Sequence, residues 1–302
     1  MKLHLALSGR CNLGCAYCVQ GERRVGPRMS AAVARAVLEL LDGSPDDAVT
    51  LSGGEPFLLP SLVRRVLTWA RQRAPGPAEC TVLTNGTRVD AADLAFLAAR
   101  DVELQVSFDG VASAQAWRGP RTHETVVRLL GQALDHHPRW AERRLSVAMI
   151  VQAATVPTLA RSVENLLGLG VREILLRPLL THDPGWTPST GERLEEQVAR
   201  IAAAAWRHPG LDGRPAADVL RARAPAPPRA AGTEGALCSA PSTQSVAVDP
   251  DGRAWGCPSF MSSLQQLPPL ARTTAGHLEL GNVLDPEFSR RLADLPRRAA
   301  RL

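Results

Sequence analysis

With 302 residues, 45% apolar and 22% charged, and a formal net charge of +5, the chain has the composition of an ordinary folded protein with a sizeable core, which argues against general disorder. Lys2 is the one lysine among 35 basic residues, and the arginines are scattered without the aromatic interleaving that single-stranded nucleic acid needs, so the charge argues against a nucleic-acid partner. No apolar run reaches the roughly 18 residues of a membrane span, and Met1 to Leu7 is too short for a signal-peptide core, so the expected location is the cytoplasm.

Short β-rich runs alternate with helical patterns from residue 2 to about 206, the signature of βαβ units and a parallel sheet. The first predicted strand, Lys2–Ala6, runs into Cys11-Asn-Leu-Gly-Cys15-Ala-Tyr-Cys18. A helix over Ser30–Leu41 follows, then a strand over Ala48–Ser52 that ends in Gly53-Gly54-Glu55-Pro56, and a helix over Ser61–Arg73. The third strand, Thr81–Thr84, closes on Asn85-Gly86 and precedes a helix over Ala91–Ala99. The fourth, Glu103–Ser107, closes on Phe108-Asp109-Gly110; Arg118 and a helix over Thr122–His136 come next. A strand over Leu145–Val151, a helix over Pro157–Leu169 and a strand over Glu173–Arg177 complete the pattern. Six such repeats are too few to close an eight-stranded barrel, so the predicted fold is α/β, an open partial (β/α)6 barrel over residues 1–207. Residues 208–236 have the Pro, Ala, Arg and Gly content of a linker or long loop. In the remaining segment, 237–302, Ser245–Val248, the turn Asp249 to Gly252 and Arg253–Cys257 read as a β-hairpin, and a last helix is expected over Pro286–Arg298.

Cysteines 11, 15, 18, 80, 238 and 257 in a reducing compartment read as metal ligands or redox groups before disulfides. Cys11, Cys15 and Cys18 sit at the C-terminal end of the first strand, where α/β barrels place their active sites. Cubane iron-sulfur clusters take thiolate ligands, usually four; three in one loop leave one iron open for a chelating substrate. Zinc is the alternative, but it normally wants four Cys or His ligands in paired knuckles, and no second knuckle lies nearby. Gly53 and Gly54 permit close backbone approach, and Glu55 favours a nearby cation; a plain strand-to-helix turn is the competing reading. Asn85, Ser107 and Asp109 are turn residues taken singly. Arg118 and Arg177 suit a carboxylate, although a surface ion pair is the commoner fate of an arginine. Cys80 reads as a small buried side chain.

With Tyr17 before its last cysteine, the Cys-x3-Cys-x2-Cys spacing resembles the signature of the radical S-adenosylmethionine (SAM) superfamily, and the strand-end motifs follow in the right order. The resemblance covers about residues 2 to 206. It implies that Cys11, Cys15 and Cys18 hold a [4Fe-4S] cluster whose open iron is chelated by SAM. It further implies that Tyr17 packs near the adenine, that Gly53, Gly54 and Glu55 meet the SAM ammonium, and that Asn85, Ser107, Asp109 and Arg118 belong to the same cofactor site. The implied chemistry is reductive cleavage of SAM to a 5'-deoxyadenosyl radical that removes a substrate hydrogen, with electrons from a flavodoxin or ferredoxin.

Cys238 and Cys257, with Gly252 between them and Gly281-Asn-Val283 beyond, resemble the opening half of a SPASM or twitch extension and imply an auxiliary iron-sulfur cluster. The later cysteines of that extension are missing, and two cysteines cannot ligate a [4Fe-4S] cluster in the all-cysteine manner. His277 is a candidate third ligand; a degenerate remnant, a redox couple or a thiol hydrogen donor are the alternatives. The resemblance favours a substrate that is a ribosomally synthesised peptide, to be crosslinked, epimerised or oxidised. Only ten residues precede Cys11, so a separate leader-peptide recognition protein is expected. An amino-sugar or aminocyclitol dehydrogenase or epimerase is the second reading, and a non-catalytic metal-binding scaffold the third.

Overall fold

The computed structural model describes residues 1–20, 26–73, 79–207, 244–258, 261 and 278–296. In chain order its elements are β1 (Lys2–Ala6), α1 (Ala31–Leu38), β2 (Ala48–Ser52), α2 (Pro60–Arg73), β3 (Glu79–Thr84), α3 (Ala91–Ala99), β4 (Glu103–Ser107), α4 (Ala112–Gln115), α5 (Thr122–His136), α6 (Pro138–Arg144), β5 (Leu145–Val151), α7 (Leu159–Leu169), β6 (Glu173–Pro178), α8 (Pro188–Arg207), β7 (Ser245–Val248), β8 (Arg253–Trp255), β9 (Glu279–Asn282) and α9 (Phe288–Ala293). The expected α/β alternation is present. Among the described residues no helix is long and apolar enough to cross a membrane. The chain divides into two compact units: Met1–Gly14 with Cys18–Leu83 and Ala231–Leu302, and Cys15–Tyr17 with Thr84–Ala230.

In the first unit β1 pairs in parallel with β2, and β2 with β3. The other edge of β1 is taken by β7, also parallel, and β8 and β9 continue antiparallel from there. Alternate residues of the parallel strands, Leu3 and Leu5, Val49 and Leu51, Cys80 and Val82, are buried, as the period of two requires of one sheet face. The apolar stripes of α1 (Val33, Val37) and α2 (Val63, Val66, Leu67) are buried as well. The intervening positions His4, Thr50 and Thr81 stand in register with one another on the opposite, polar face. Ser30 starts α1 by accepting from Val33 N at 3.2 Å, a standard N-cap. The helix stops before the expected Leu41 because Leu40 N and Leu41 N bond to Val37 O and Leu38 O, three residues back, which tightens the last turn out of α geometry. The last helix starts later than expected: a turn at Asp285, which accepts Glu287 N at 2.9 Å, delays it to Phe288.

In the second unit β4, β5 and β6 are parallel. The first five residues of β5 are all buried, the pattern of a strand covered on both faces. Asp90 and Asp93 form a reciprocal capping box that starts α3. Helices α4, α6 and α8 were not among the expected elements. Thr187 Oγ1 accepts Thr190 N at 3.2 Å ahead of α8, and Pro188 occupies its first position, where the missing N–H costs nothing. Gln197 Oε1 accepts Ala160 N at 3.0 Å and fixes α8 to α7.

Candidate active site

The cysteine loop leaves β1 between two glycines of β2's following turn and the backbone of Ser8 to Cys11. Gly54 N donates to Ser8 O at 2.7 Å and Glu55 N to Arg10 O at 2.8 Å. A Cβ on Gly53, whose φ is +127°, would stand 2.4 Å from Ser8 O, and one on Gly54 would stand 2.0 Å from Arg10 O. Both contacts are far inside van der Waals separation, so only glycine lets the turn lie against the loop. The glycine pair therefore holds the approach to Cys11. Glu55 is fully buried and its Oε1 accepts Phe57 N at 2.9 Å, capping the single 3-10 turn at Pro56–Leu58. Directly before this turn, Ser52 Oγ hydrogen-bonds His4 Nε2 at 2.5 Å; burial holds that imidazole down at a pKa of about 4.

In the second unit Tyr17 belongs to a buried polar hub. Asp109 Oδ2 accepts from the Tyr17 hydroxyl and, at 2.9 Å, from Arg118 Nε, while Oδ1 accepts Arg118 Nη2 and Ile150 N, each at 2.9 Å. Arg118 and Asp109 are 7% and 2% exposed, so this two-pronged ion pair is screened little by water. Burial alone would lower the Arg118 pKa, but the Asp109 charge outweighs it and the guanidinium is held charged. The Tyr17 hydroxyl is pushed far up, chiefly by burial, so it remains a donor. The Arg118 guanidinium also lies 5.4 Å from the Tyr17 ring centre. Ala16 N donates to Trp117 O at 2.9 Å, a second tie between the cysteine loop and the segment that carries Arg118.

Sequence reasoning named Asp109, Arg118 and Tyr17 as separate cofactor contacts; the structure joins them. It did not find Gln115, which is fully buried and spans Asp109 N and Thr122 Oγ1, nor the His4–Ser52 pair. Asn85 is buried, and its Oδ1 accepts both Thr87 N and Thr87 Oγ1, at 2.9 and 2.7 Å. Ser107 ends β4 and is partly exposed, whereas Arg177 in β6 is exposed. Cys80 and Cys257 are buried and in no disulfide. Cys238 and His277 lie outside the described residues.

A cavity of about 500 Å³ opens beside Tyr17 in the same unit. One wall is Ala16, Tyr17 and Trp117; the other is formed by residues 152–154 after β5 and by Leu179 and residues 181–185 after β6. Asp183 pins the two loops of the second wall, accepting Ala153 N at 2.8 Å and Gly185 N at 3.1 Å.

Cys11, Cys15 and Cys18 are in no disulfide and are partly exposed, and Cys11 Sγ accepts Leu13 N at 3.4 Å. Among the described residues no three His, Cys, Asp or Glu side chains are grouped closely enough for a single metal ion. A cubane spreads its ligands more widely than one ion does. Three accessible thiols in one loop after a strand suit a [4Fe-4S] cluster with one open iron.

Residues 5–152 match the model described as "Radical SAM superfamily". A "Probable GTP 3',8-cyclase" of Methanothermobacter thermautotrophicus is 29% identical over 129 residues, which is 42% of this chain and 39% of that protein. The match thus spans about two fifths of the relative's length. Among solved structures, "Native anSMEcpe with bound AdoMet" superposes with a TM-score of 0.71 at 15% identity, covering 99% of this chain and 82% of the other. Streptococcus suis SuiB bound to precursor peptide SuiA gives 0.66 at 12% identity, covering 99% and 66%. These likenesses show the fold, an α/β, mostly parallel and unclosed barrel.

Proposed function

We propose, from the premise that this chain belongs to the radical SAM superfamily, that it is an enzyme which uses SAM and a [4Fe-4S] cluster on Cys11, Cys15 and Cys18 to abstract hydrogen from a ribosomally synthesised peptide, installing a crosslink, an epimerised centre or an oxidation. The observation that carries the cofactor assignment is the Gly53–Gly54 turn, which has no room for any other residue because it is hydrogen-bonded to the backbone leading into Cys11. When bound, the cluster supplies an electron for reductive cleavage of SAM's carbon–sulfur bond, the hard step that such a cofactor carries for the protein. The chain's own part is to bind and orient. The glycine turn fixes where Cys11 begins, and the Asp109–Arg118 pair fixes Tyr17. Tyr17 stays protonated and so donates to Asp109 at every working pH. Asn85, Ser107 and Glu55 are the remaining residues proposed for the SAM site, and the electron donor is a flavodoxin or ferredoxin. The peptide reading is supported by the fold shared with SuiB, which has been seen with a precursor peptide.

A small-molecule substrate is the second reading, favoured by relatives named for GTP. It includes the amino sugars and aminocyclitols. Anaerobic reconstitution, then dithionite and SAM, tests the enzyme assignment: 5'-deoxyadenosine is expected, and its absence from cluster-loaded protein would leave only a metal-binding scaffold. Replacing Cys11, Cys15 and Cys18 together by Ala should abolish the product. Iron counted on that triple variant tests Cys238 and Cys257: about four irons per chain support an auxiliary cluster, and none excludes it.

A further inference from the structure

Between β4 and α5 the chain presents two groups that hold the cysteine loop: the Trp117 carbonyl, which accepts Ala16 N at 2.9 Å, and the Arg118 guanidinium on Asp109. The backbone of this stretch is under strain. Gly110 stands at φ +88° and Arg121, which has a Cβ, at +61°; a non-glycine residue keeps such a conformation only where its surroundings over-determine it. Gln115 supplies that constraint. It is fully buried, and its amide reaches both ends of the stretch: Oε1 accepts Asp109 N at 2.9 Å, and Nε2 donates to Thr122 Oγ1 at 3.0 Å. Thr122 Oγ1 in turn donates to Gly119 O at 2.9 Å. Gln115 O also accepts Arg118 N at 2.9 Å, so the same residue holds the backbone of the arginine. The bridge needs an acceptor and a donor on one neutral side chain, which an amide has and a carboxylate lacks. The turn at Gly110 leaves little slack of its own: a Cβ there would stand 2.2 Å from Ser162 Cβ, and Ser162 Oγ accepts Val111 N at 3.1 Å.

We propose that Gln115 is a positioning residue of the cofactor site. By joining Asp109 N to Thr122 Oγ1 it fixes the Trp117 carbonyl and the Asp109 carboxylate, which hold Ala16 and Tyr17, the two residues that follow Cys15. The inference rests on the [4Fe-4S] reading of Cys15 and adds to it a residue that acts through others. An apolar side chain of the same length would strip Asp109 N of its acceptor and Thr122 Oγ1 of its donor. Buried groups left so are costly, and the turn shifts to recover them, taking Trp117 and Arg118 with it. A residue that only packed would matter in proportion to the stability it contributes. One that positions the cysteine loop matters to SAM and iron beyond that proportion.

The test uses the full chain, reconstituted anaerobically, and four variants. Gln115→Met keeps the length and removes both side-chain hydrogen bonds. Thr122→Val removes the oxygen at the other end of the bridge, and Thr122→Ser keeps it. Trp140→Phe is the control, because it removes a different buried hydrogen bond of the same unit, Trp140 Nε1 to Val102 O at 2.9 Å. Three quantities are read: the SAM concentration that half-shifts the electron paramagnetic resonance signal of dithionite-reduced protein, the rate of iron loss to a chelator, and KM against kcat for 5'-deoxyadenosine. Gln115→Met should raise the half-point and the KM for SAM about ten-fold, with kcat less affected, and speed iron loss by a similar factor. Thr122→Val should give about a three-fold change in the same quantities, and Thr122→Ser should behave as the parent chain. Trp140→Phe should lower the urea midpoint of the cluster-free protein and leave all three unchanged. The inference is overturned if Gln115→Met leaves SAM binding and iron loss unchanged, or if Trp140→Phe shifts them as much. Should Gln115→Met not fold, the Thr122 variants decide: loss in Thr122→Val with retention in Thr122→Ser upholds the inference, and equal behaviour overturns it. A parent chain that holds iron and makes no 5'-deoxyadenosine overturns the cofactor reading and the inference with it, whereas the other outcomes leave that reading standing.

Discussion

Removing the Asp109 carboxylate should be among the most damaging single changes in the second unit. Asp109→Ala strips the acceptor from the Tyr17 hydroxyl, from Ile150 N and from both Arg118 donors. The dominant cost is the Arg118 guanidinium, 7% exposed and left without its counter-charge. Breaking a buried pair from one side costs about 3–5 kcal/mol, because the surviving charge remains out of water. Arg118→Met should cost a similar amount by stranding Asp109. Replacing both, Asp109→Ala with Arg118→Met, removes the two charges together and should cost far less than the sum, leaving a coupling energy of about 2 kcal/mol or more. Urea unfolding of the four proteins without cluster, followed by circular dichroism, gives each value. Single variants that each lose less than about 1 kcal/mol, or losses that simply add, would refute the buried-pair argument.

Three further outcomes follow from the first unit and its cluster loop. Gly54→Ala places a methyl 2.0 Å from Arg10 O, so iron bound after reconstitution should drop sharply; full iron loading would contradict the packing. Gly53→Ala meets Ser8 O at 2.4 Å and also strains a φ of +127°, and should lose stability by about 1–3 kcal/mol in urea titration. His4 titrates at about 4 when folded against 6.5 in the free residue, so the unfolded chain takes up its proton first as the pH falls. Its share of stability is complete above pH 6.5 and is lost on the way down to pH 4, by at most about 3 kcal/mol. In His4→Gln the urea midpoint should vary less between pH 7 and pH 4.5 than in the parent chain; equal variation would exclude the assignment.

The period-two and period-3.6 patterns were strong enough to place β2, β4, β5, α3 and α5 at the bounds the structure has. Helix α8 was missed although its signals are in the sequence: Thr187 and Pro188 open it, and Leu194, Val198 and Ile201 recur at helical spacing. The cysteine loop and the glycine pair were legible because their chemistry is local. The glycines' contact with Ser8 and Arg10 was not, since it joins segments that are more than 40 residues apart. Asp109 and Arg118 likewise read as two ligand contacts because nothing in either turn says that the two side chains face one another. Gln115 carries no motif at all. Only burial and its bonds to Asp109 N and Thr122 Oγ1 single it out.

The parallel ladder between β1 and β7 pairs Lys2 with Ser245, and this has a consequence for how the chain is made. Ribosomes add about 5–20 residues per second, so the strand that leads into Cys11 emerges on the order of ten seconds or more before its second neighbour exists. Throughout that interval β1 carries an open edge, which invites pairing with other nascent chains. A pairing of such sequence separation also closes late and slowly. Iron and sulfide inserted before release would therefore meet a half-built sheet, with the strand that leads into Cys11 still short of its second neighbour.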